Sequence, residues 1–351
     1  MFGKSLPTEE TCKIQLPILL CEINGPLLFA IFMDGIKSIL YMSGRPIVMD
    51  LQSLSDHVHI STGLLYRLSK YNDKFYKILK LPKKNGGSRI ISCPSKEMKA
   101  VQAWILRNIL DGIKVTDNAT GFRKGLNVLY NAECHRDNRY FLCLDIEDFF
   151  PSISYAKVYT IFNSLGYNSH VSHIFSSLCT CQGKLPQGAV TSPALSNIIC
   201  IRLDHRISGY VGKRNITYTR YADDMVFSSM SPSRLVGIKR FIVQILKDEG
   251  FELNKSKTRF LGPRRQRKVT GLVISDESLG VGRKRKRILR ASIHHWFVAS
   301  LSSVEREKLR NHLGGWFAYM NSVDPKGLEQ LKNYLTHISG KHGGLDVQTR
   351  L

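Results

Sequence analysis

The sequence predicts an α+β fold, on three observations. Apolar residues recur at helical spacing in several stretches, short apolar or β-branched runs stand between turn signals, and 43% hydrophobic content in 351 residues is enough for a sizeable core. Lys and Arg number 51 against 28 acids, a formal charge of +23 that suits a polyanion, nucleic acid first and an anionic membrane second. Spanning a membrane needs about 20 uninterrupted apolar residues. The best stretch, Leu16 to Met42, is broken by Glu22, Asn24, Pro26 and Asp34, and Glu9 and Glu10 argue against a signal peptide. A cytoplasmic chain without membrane contact is expected. The eight cysteines are scattered, and Cys179-x-Cys181 has no second pair at ligand spacing, so reduced thiols are expected rather than zinc.

Taken in order, residues 1–45 form an apolar N-terminal extension with balanced charge. From Asp50 to Lys70, Leu51, Leu54, Val58, Leu64, Leu65 and Leu68 predict two short helices, with Ser61 or Thr62 as the cap between them. Lys80 to Cys93 reads strand, turn, strand, because Lys83-Lys-Asn-Gly-Gly87 is a turn signal ahead of Ile90-Ile91. Ser95, after Pro94, caps an amphipathic helix running to about Ile113. Phe141 to Ile146 is apolar enough for a buried strand, and Ile216 to Ser229 alternates around a tight turn at Ala222-Asp-Asp224. Ile288 to Leu301 and Leu328 to Ile338 read as helices, and Trp296, Trp316, Phe317 and Tyr319 as their core aromatics rather than base-stacking platforms.

Two of these elements carry chemistry. Asp145 ends the Phe141–Leu144 strand, and Asp223-Asp224 occupy the tip of the hairpin. Three carboxylates on neighbouring strands can hold two Mg²⁺ ions about 4 Å apart, the arrangement that stabilises attacking and leaving oxygens in phosphoryl transfer. A lone Asp-Asp turn is more often simply solvated, with Asp145 as a strand-end cap. The flanking residues decide between these readings.

Tyr221-Ala-Asp-Asp224 resembles the Y-x-D-D motif of reverse transcriptases, and Asp145-Ile-Glu-Asp-Phe-Phe-Pro-Ser-Ile153 resembles their motif A. Leu185-Pro-Gln-Gly-Ala-Val-Thr-Ser-Pro193 is similar to motif B, Gly250-Phe-Glu-Leu-Asn-Lys-Ser-Lys-Thr258 to motif D, and Lys83-Lys-x-Gly-Gly-x-Arg89 to the basic fingers motif. The five stand in the family's order. The resemblance implies a right-hand polymerase with fingers, palm and helical thumb. Its expected divisions are fingers at 46–140 and 156–195, palm at 141–155 and 196–275, and thumb at 276–351. Asp145, Asp223, Asp224 and Lys257 are the implied catalytic residues, with the backbone of Ile146 joining the three aspartates at the metals. Lys257 falls where the family places a lysine that protonates the leaving pyrophosphate. For the deoxynucleoside triphosphate, Arg89 offers a bidentate grip and Lys83 or Lys84 a point charge. Gln187 and Gly188 offer an amide and open backbone. Phe150 matches the steric gate that excludes a ribose 2′-hydroxyl, and its neighbour Phe149 is left to the core.

Two further motifs narrow the family. Asn131-Ala-Glu-Cys-His135 resembles the N-A-x-x-H motif of retron reverse transcriptases, and Val269-Thr270-Gly271 their V-T-G motif. Taken singly, His135 can be a core histidine and Gly271 a turn. Together they imply an enzyme that binds a cognate noncoding RNA, with Asn131, His135, Val269, Thr270 and Gly271 as RNA contacts, primes from an internal guanosine 2′-hydroxyl, and makes RNA-linked single-stranded DNA (msDNA), commonly with an effector protein in anti-phage defence. About 80 residues follow the V-T-G motif, room for a thumb but not for a nuclease as well, so template removal calls for a host RNase H. The basic run from Arg264 to Arg290, with Lys284, Arg285 and Lys286 at its centre, is expected to contact RNA. A group II intron-like or defence-associated reverse transcriptase, or a ribonucleoprotein scaffold restraining a toxic effector, are the alternatives.

Overall fold

The structure, a computed structural model, describes residues 35–82, 86–276 and 278–341. Most of the expected extension therefore lies outside the described residues. Its end does not: residues 35–42 are helical and bury Ile36 and Leu40 in the larger of two cores. Helix α1 (Leu51–Val58) opens with a reciprocal cap between Asp50 and Ser53, and α2 (Thr62–Lys70) follows from Ser61. Strands β1 (Tyr76–Pro82) and β2 (Ser88–Pro94) pair antiparallel from Tyr76↔Pro94 to Pro82↔Ser88. The turn residues Lys83, Lys84 and Asn85 are not among those described. Ser95 caps α3 (Lys96–Ile105) by accepting from the Met98 amide, and the helix runs on through one π-helical turn, Leu106–Leu110.

After the short α4 (Val128–Glu133) comes β3 (Tyr140–Asp145), then four helices: α5 (Tyr155–Ser164), α6 (Ser169–Cys179), α7 (Ser192–Ile199) and α8 (Ile201–Gly212). The hairpin of β4 (Thr217–Tyr221) and β5 (Asp224–Ser229) follows, then α9 (Pro232–Val236), α10 (Ile238–Asp248) and β6 (Arg259–Leu261). These strands make one sheet in the order β4-β5-β3-β6, with β3 antiparallel to both neighbours. Leu142 and Leu144 join the larger core, whereas Phe141 and Cys143 face the second, so β3 is covered on both sides. That is why its sequence is continuously apolar instead of alternating.

A small sheet of β7 (Arg267–Val269), β8 (Leu272–Ile274) and β9 (Leu279–Gly280) leads into three helices, α11 (Gly282–Val298), α12 (Ser303–Val323) and α13 (Pro325–Lys341). The second core joins their Leu289, Ile293, Leu313, Phe317, Met320 and Leu331 to Phe141, Cys143, Val226 and Leu261 on the face of the sheet away from the larger core. Trp296 and Phe317 are buried, as their reading as core aromatics requires. Helix α12, opened by a reciprocal cap between Ser302 and Glu305, was not anticipated. The described cysteines are all free, and burial pushes the Cys179 thiol up to about 12. Among the described residues no helix is long and apolar enough to cross a membrane.

Candidate active site

The sheet register brings the acidic residues together. Asp145, the last residue of β3, lies directly opposite Asp224, the first of β5, and the Ile146 amide donates to the Asp223 carbonyl at 3.0 Å. Burial and the neighbouring carboxylates raise the pKa of both turn aspartates, that of Asp224 to about 6. The Lys257 ammonium reaches both Asp145 oxygens at 2.9 Å. Partial burial works against its charge, but this bond and the three aspartates outweigh it and hold its pKa above the ordinary value. Among the described residues no three Asp, Glu, His or Cys side chains converge to cage an ion unaided. Magnesium does not require such a cage, because it is commonly held by one or two carboxylates with substrate phosphates and water completing its shell. A cluster of partly buried carboxylates short of countercharge, already clasping an ammonium, fits such an ion.

The residues expected at the nucleotide come from three elements. Arg89 is exposed on β2, and its charge is felt at Asp223. Gln187 and Gly188 sit against the same strand, where the Ser92 amide donates to the Gln187 carbonyl at 2.9 Å. Gly188 is required there: its φ is +131°, and a Cβ would lie 2.7 Å from the Ser92 carbonyl. The two adjacent phenylalanines separate cleanly. Phe149 is 4% exposed and packs on Phe251, whereas Phe150 stays at the edge of the core. Phe150→Val is therefore expected to raise ribonucleotide incorporation, and Phe149→Val chiefly to destabilise, by about 1–3 kcal/mol for the cavity. Competing ribo- and deoxyribonucleoside triphosphates on one template, with melting curves alongside, measures both. Unchanged discrimination in Phe150→Val would remove that ring from the site.

Beneath the turn lies a network that the sequence reading missed. Arg220 is fully buried, with Nε and Nη2 donating to the two oxygens of Asp204 at 2.8 and 2.7 Å. Its Nη1 donates to Asn197 Oδ1 at 3.1 Å and to the carbonyl of Ala222, whose φ is +57°. Asp204 also accepts from the Tyr218 and Thr116 hydroxyls, so each of its oxygens is doubly satisfied. The sequence signal for it is weak, because Thr219 is buried along with Tyr218 and Arg220, so β4 carries no alternation that marks the arginine as inward.

The two motifs that narrowed the family meet in space. Thr270 and Gly271, at φ +44° and +95°, form the two-residue tip between β7 and β8, and Asn131 Nδ2 reaches the Thr270 hydroxyl at 3.4 Å. Asn131 and His135 are themselves fully buried, so neither presents surface to RNA; the expectation of direct contact is corrected on that ground. His135 instead bonds Ser228 and Thr219 at 2.6 and 2.8 Å, joining β4 to β5, and burial holds it neutral with a pKa of about 3. Val269 is buried too, and Gly271 is exposed. In the basic run Lys284 is exposed, Arg285 lies 4.5 Å over Trp316, and Lys286 turns toward Asp324 at 3.8 Å.

Residues 81–274 match the family model described as reverse transcriptase (RNA-dependent DNA polymerase). The chain belongs to that family, with the right-hand polymerase fold and RNA-directed DNA polymerase activity, acting on an RNA template. More narrowly, it is a retron-type reverse transcriptase. It is 41% identical to the Retron Ec86 reverse transcriptase of Escherichia coli over 86% of this chain and 92% of that one. With the Retron Mx65 reverse transcriptase of Myxococcus xanthus it shares 31% identity, over 82% and 71% of the two chains. A solved telomerase from Candida albicans, in complex with a fragment of telomeric RNA, aligns with a TM-score of 0.44 at 13% identity, over 77% of this chain and 61% of that one.

Proposed function

We propose that this enzyme copies part of a structured noncoding RNA into single-stranded DNA that stays joined to it, priming from an internal guanosine 2′-hydroxyl, and that the complex acts with an effector protein in anti-phage defence. The observation that carries this reading is the Thr270-Gly271 tip, whose Gly271 is exposed and which is tied through Asn131 and the Thr120 hydroxyl to the Arg220 carbonyl on β4, the strand that leads into the Asp223-Asp224 turn. Such a mount would place an RNA feature at a fixed distance from the start of synthesis. The divisions at residues 45, 140, 155, 195 and 275 serve as the working boundaries of extension, fingers, palm and thumb.

Asp145, Asp223, Asp224 and the Ile146 backbone would hold two Mg²⁺ ions, which supply a more acidic 3′-hydroxyl and neutralise the pyrophosphate. Arg89, Lys84, Gln187 and Gly188 orient the deoxynucleoside triphosphate, and Phe150 excludes the 2′-hydroxyl. Lys257 holds a proton at Nζ beside the leaving group. RNA is removed from the product by a host RNase H. Sequencing the nucleic acid that co-purifies with the protein tests the reading. A short DNA joined to RNA through a 2′,5′ bond is expected, and DNA with a free 5′ end would overturn it.

Template choice has its own expected result. Thr270, Gly271 and the exposed Lys284 are proposed RNA contacts, with Val269, Asn131 and His135 supporting them from beneath. Phosphate contacts alone weaken all RNAs alike when lost, whereas contacts to loop bases or stem shape discriminate. Alanine at Lys284, Arg285 and Lys286 should lower the ratio of cognate to shuffled hairpin affinity at fixed salt. Because Arg285 and Lys286 also pack within the thumb, Lys284→Ala alone separates RNA contact from thumb disruption. Both affinities falling together in the triple variant would reduce the segment to non-specific electrostatics.

A further inference from the structure

Phe122 stands at the active site in a conformation that phenylalanine rarely adopts. Its φ is +59°, in the left-handed region, and the residue is 45% exposed. That ring lies 6.1 Å from Phe150 and 6.3 Å from Tyr221, centroid to centroid. The backbone around it is fixed to the catalytic hairpin. The Thr120 amide donates to the Arg220 carbonyl at 2.9 Å, and Asn197 Nδ2 donates to the Gly121 carbonyl at 2.8 Å. Gly121 packs so closely that a Cβ there would lie 2.8 Å from the Ala222 nitrogen. An exposed aromatic on strained backbone is doubly unfavourable for stability, and it persists here because the surroundings dictate it, as strain kept at working sites does.

We propose that Phe122 is a positioning residue for sugar selection, acting by bracing the Phe150 ring. Phe150 is flanked by two aromatic rings: Phe149, at 5.4 Å and anchored in the core, and Phe122, on the open side. A gate excludes a 2′-hydroxyl only if it cannot swing away from it. Phe149 limits one direction of that swing and Phe122 the other. This inference rests on reading Phe150 as the gate, and the experiment separates the two.

The full-length protein extends a DNA primer on an RNA template with competing ribo- and deoxyribonucleoside triphosphates, and melting is followed in parallel. Phe122→Gly and Phe122→Ala should each lower the preference for deoxyribonucleotides roughly tenfold, less than the hundredfold that a misplacement of about 1 Å can cost. Phe122→Tyr, which keeps the ring, should retain the preference. The glycine variant should melt no lower than wild type, because glycine takes positive φ without strain. Adding Phe122→Gly to Phe150→Val should relax selection no further, since one ring acts through the other. If Phe150→Val relaxes selection and neither Phe122→Gly nor Phe122→Ala does, the bracing role is wrong and the gate stands. If Phe150→Val has no effect, the gate falls and bracing falls with it. Equal loss with both sugars, at unchanged preference, would also overturn the proposal. Should the glycine variant melt lower, the alanine variant and the double-variant comparison still decide it.

Discussion

Primer extension should vanish when Asp223 and Asp224 are both changed to asparagine, while the fold and RNA binding survive. The substitutions are nearly isosteric at a turn, so little packing is lost, but the anionic oxygens proposed to hold divalent ions are gone. Stability should move the other way. Burial and adjacent carboxylates raise both pKa values, Asp224 to about 6, so the folded chain disfavours the charged forms. A raised acid contributes stability below its unfolded value, about 3.9, and that stability is lost as pH rises through the folded value. For Asp224 the difference of roughly two units corresponds to at most about 3 kcal/mol. With divalent metal chelated, wild type should therefore melt lower at pH 8 than at pH 5, and the double variant should lose most of that difference. Near wild-type extension by the variant would end the assignment of these residues to metal binding. An undiminished pH difference would show that the strain lies elsewhere.

Arg220→Leu is expected to be the most destabilising single change in the palm. It leaves Asp204 buried without its cation, and breaking a buried pair by removing one partner costs about 3–5 kcal/mol. Pairing it with Asp204→Leu removes the stranded charge and should recover much of that stability. Activity should not return with it, because the Ala222 carbonyl loses the Nη1 donor that steadies the catalytic turn. Melting curves and extension rates on both variants read the two effects separately. Full activity in the refolded double variant would show that the pair serves packing alone.

How much of this was legible in the sequence depends on the range of each interaction. Asp145, Asp223 and Asp224 were readable because the motifs around a strand end and a two-residue turn resemble those of a known family; the β3–β5 register that brings them together is a long-range pairing that no local feature dictates. Ser95 and the β1–β2 hairpin were readable because a cap and a turn are local features. Phe149 was left to the core from the sequence because adjacent residues on extended backbone face opposite ways, and its packing on Phe251, about a hundred residues away, agrees with that reading. His135 was read as an RNA contact because a motif reports that a residue matters, not whether it faces water. Arg220 required Asp204 on a separate helix, and its burial reverses the usual expectation for an arginine. Helix α12 was legible and was missed: Leu309, Leu313, Trp316, Phe317 and Met320 recur at helical spacing behind the Ser302/Glu305 cap, with Gly314-Gly315 interrupting the stretch.

Strand β3 belongs to two cores at once, and this limits how the enzyme can be shortened or diversified. A chain cut after Ile274 would leave Phe141, Cys143, Val226 and Leu261 facing water, an apolar sheet face inviting self-association. The C-terminal helices are thus half of the shell around the strand that carries Asp145, whatever they also do with nucleic acid. Evolution can rewrite the face of those helices that meets solvent, where Lys284 is a proposed RNA contact. The opposite face, set by Leu289, Leu313, Met320 and Leu331, must keep fitting the sheet or the polymerase is lost with the specificity.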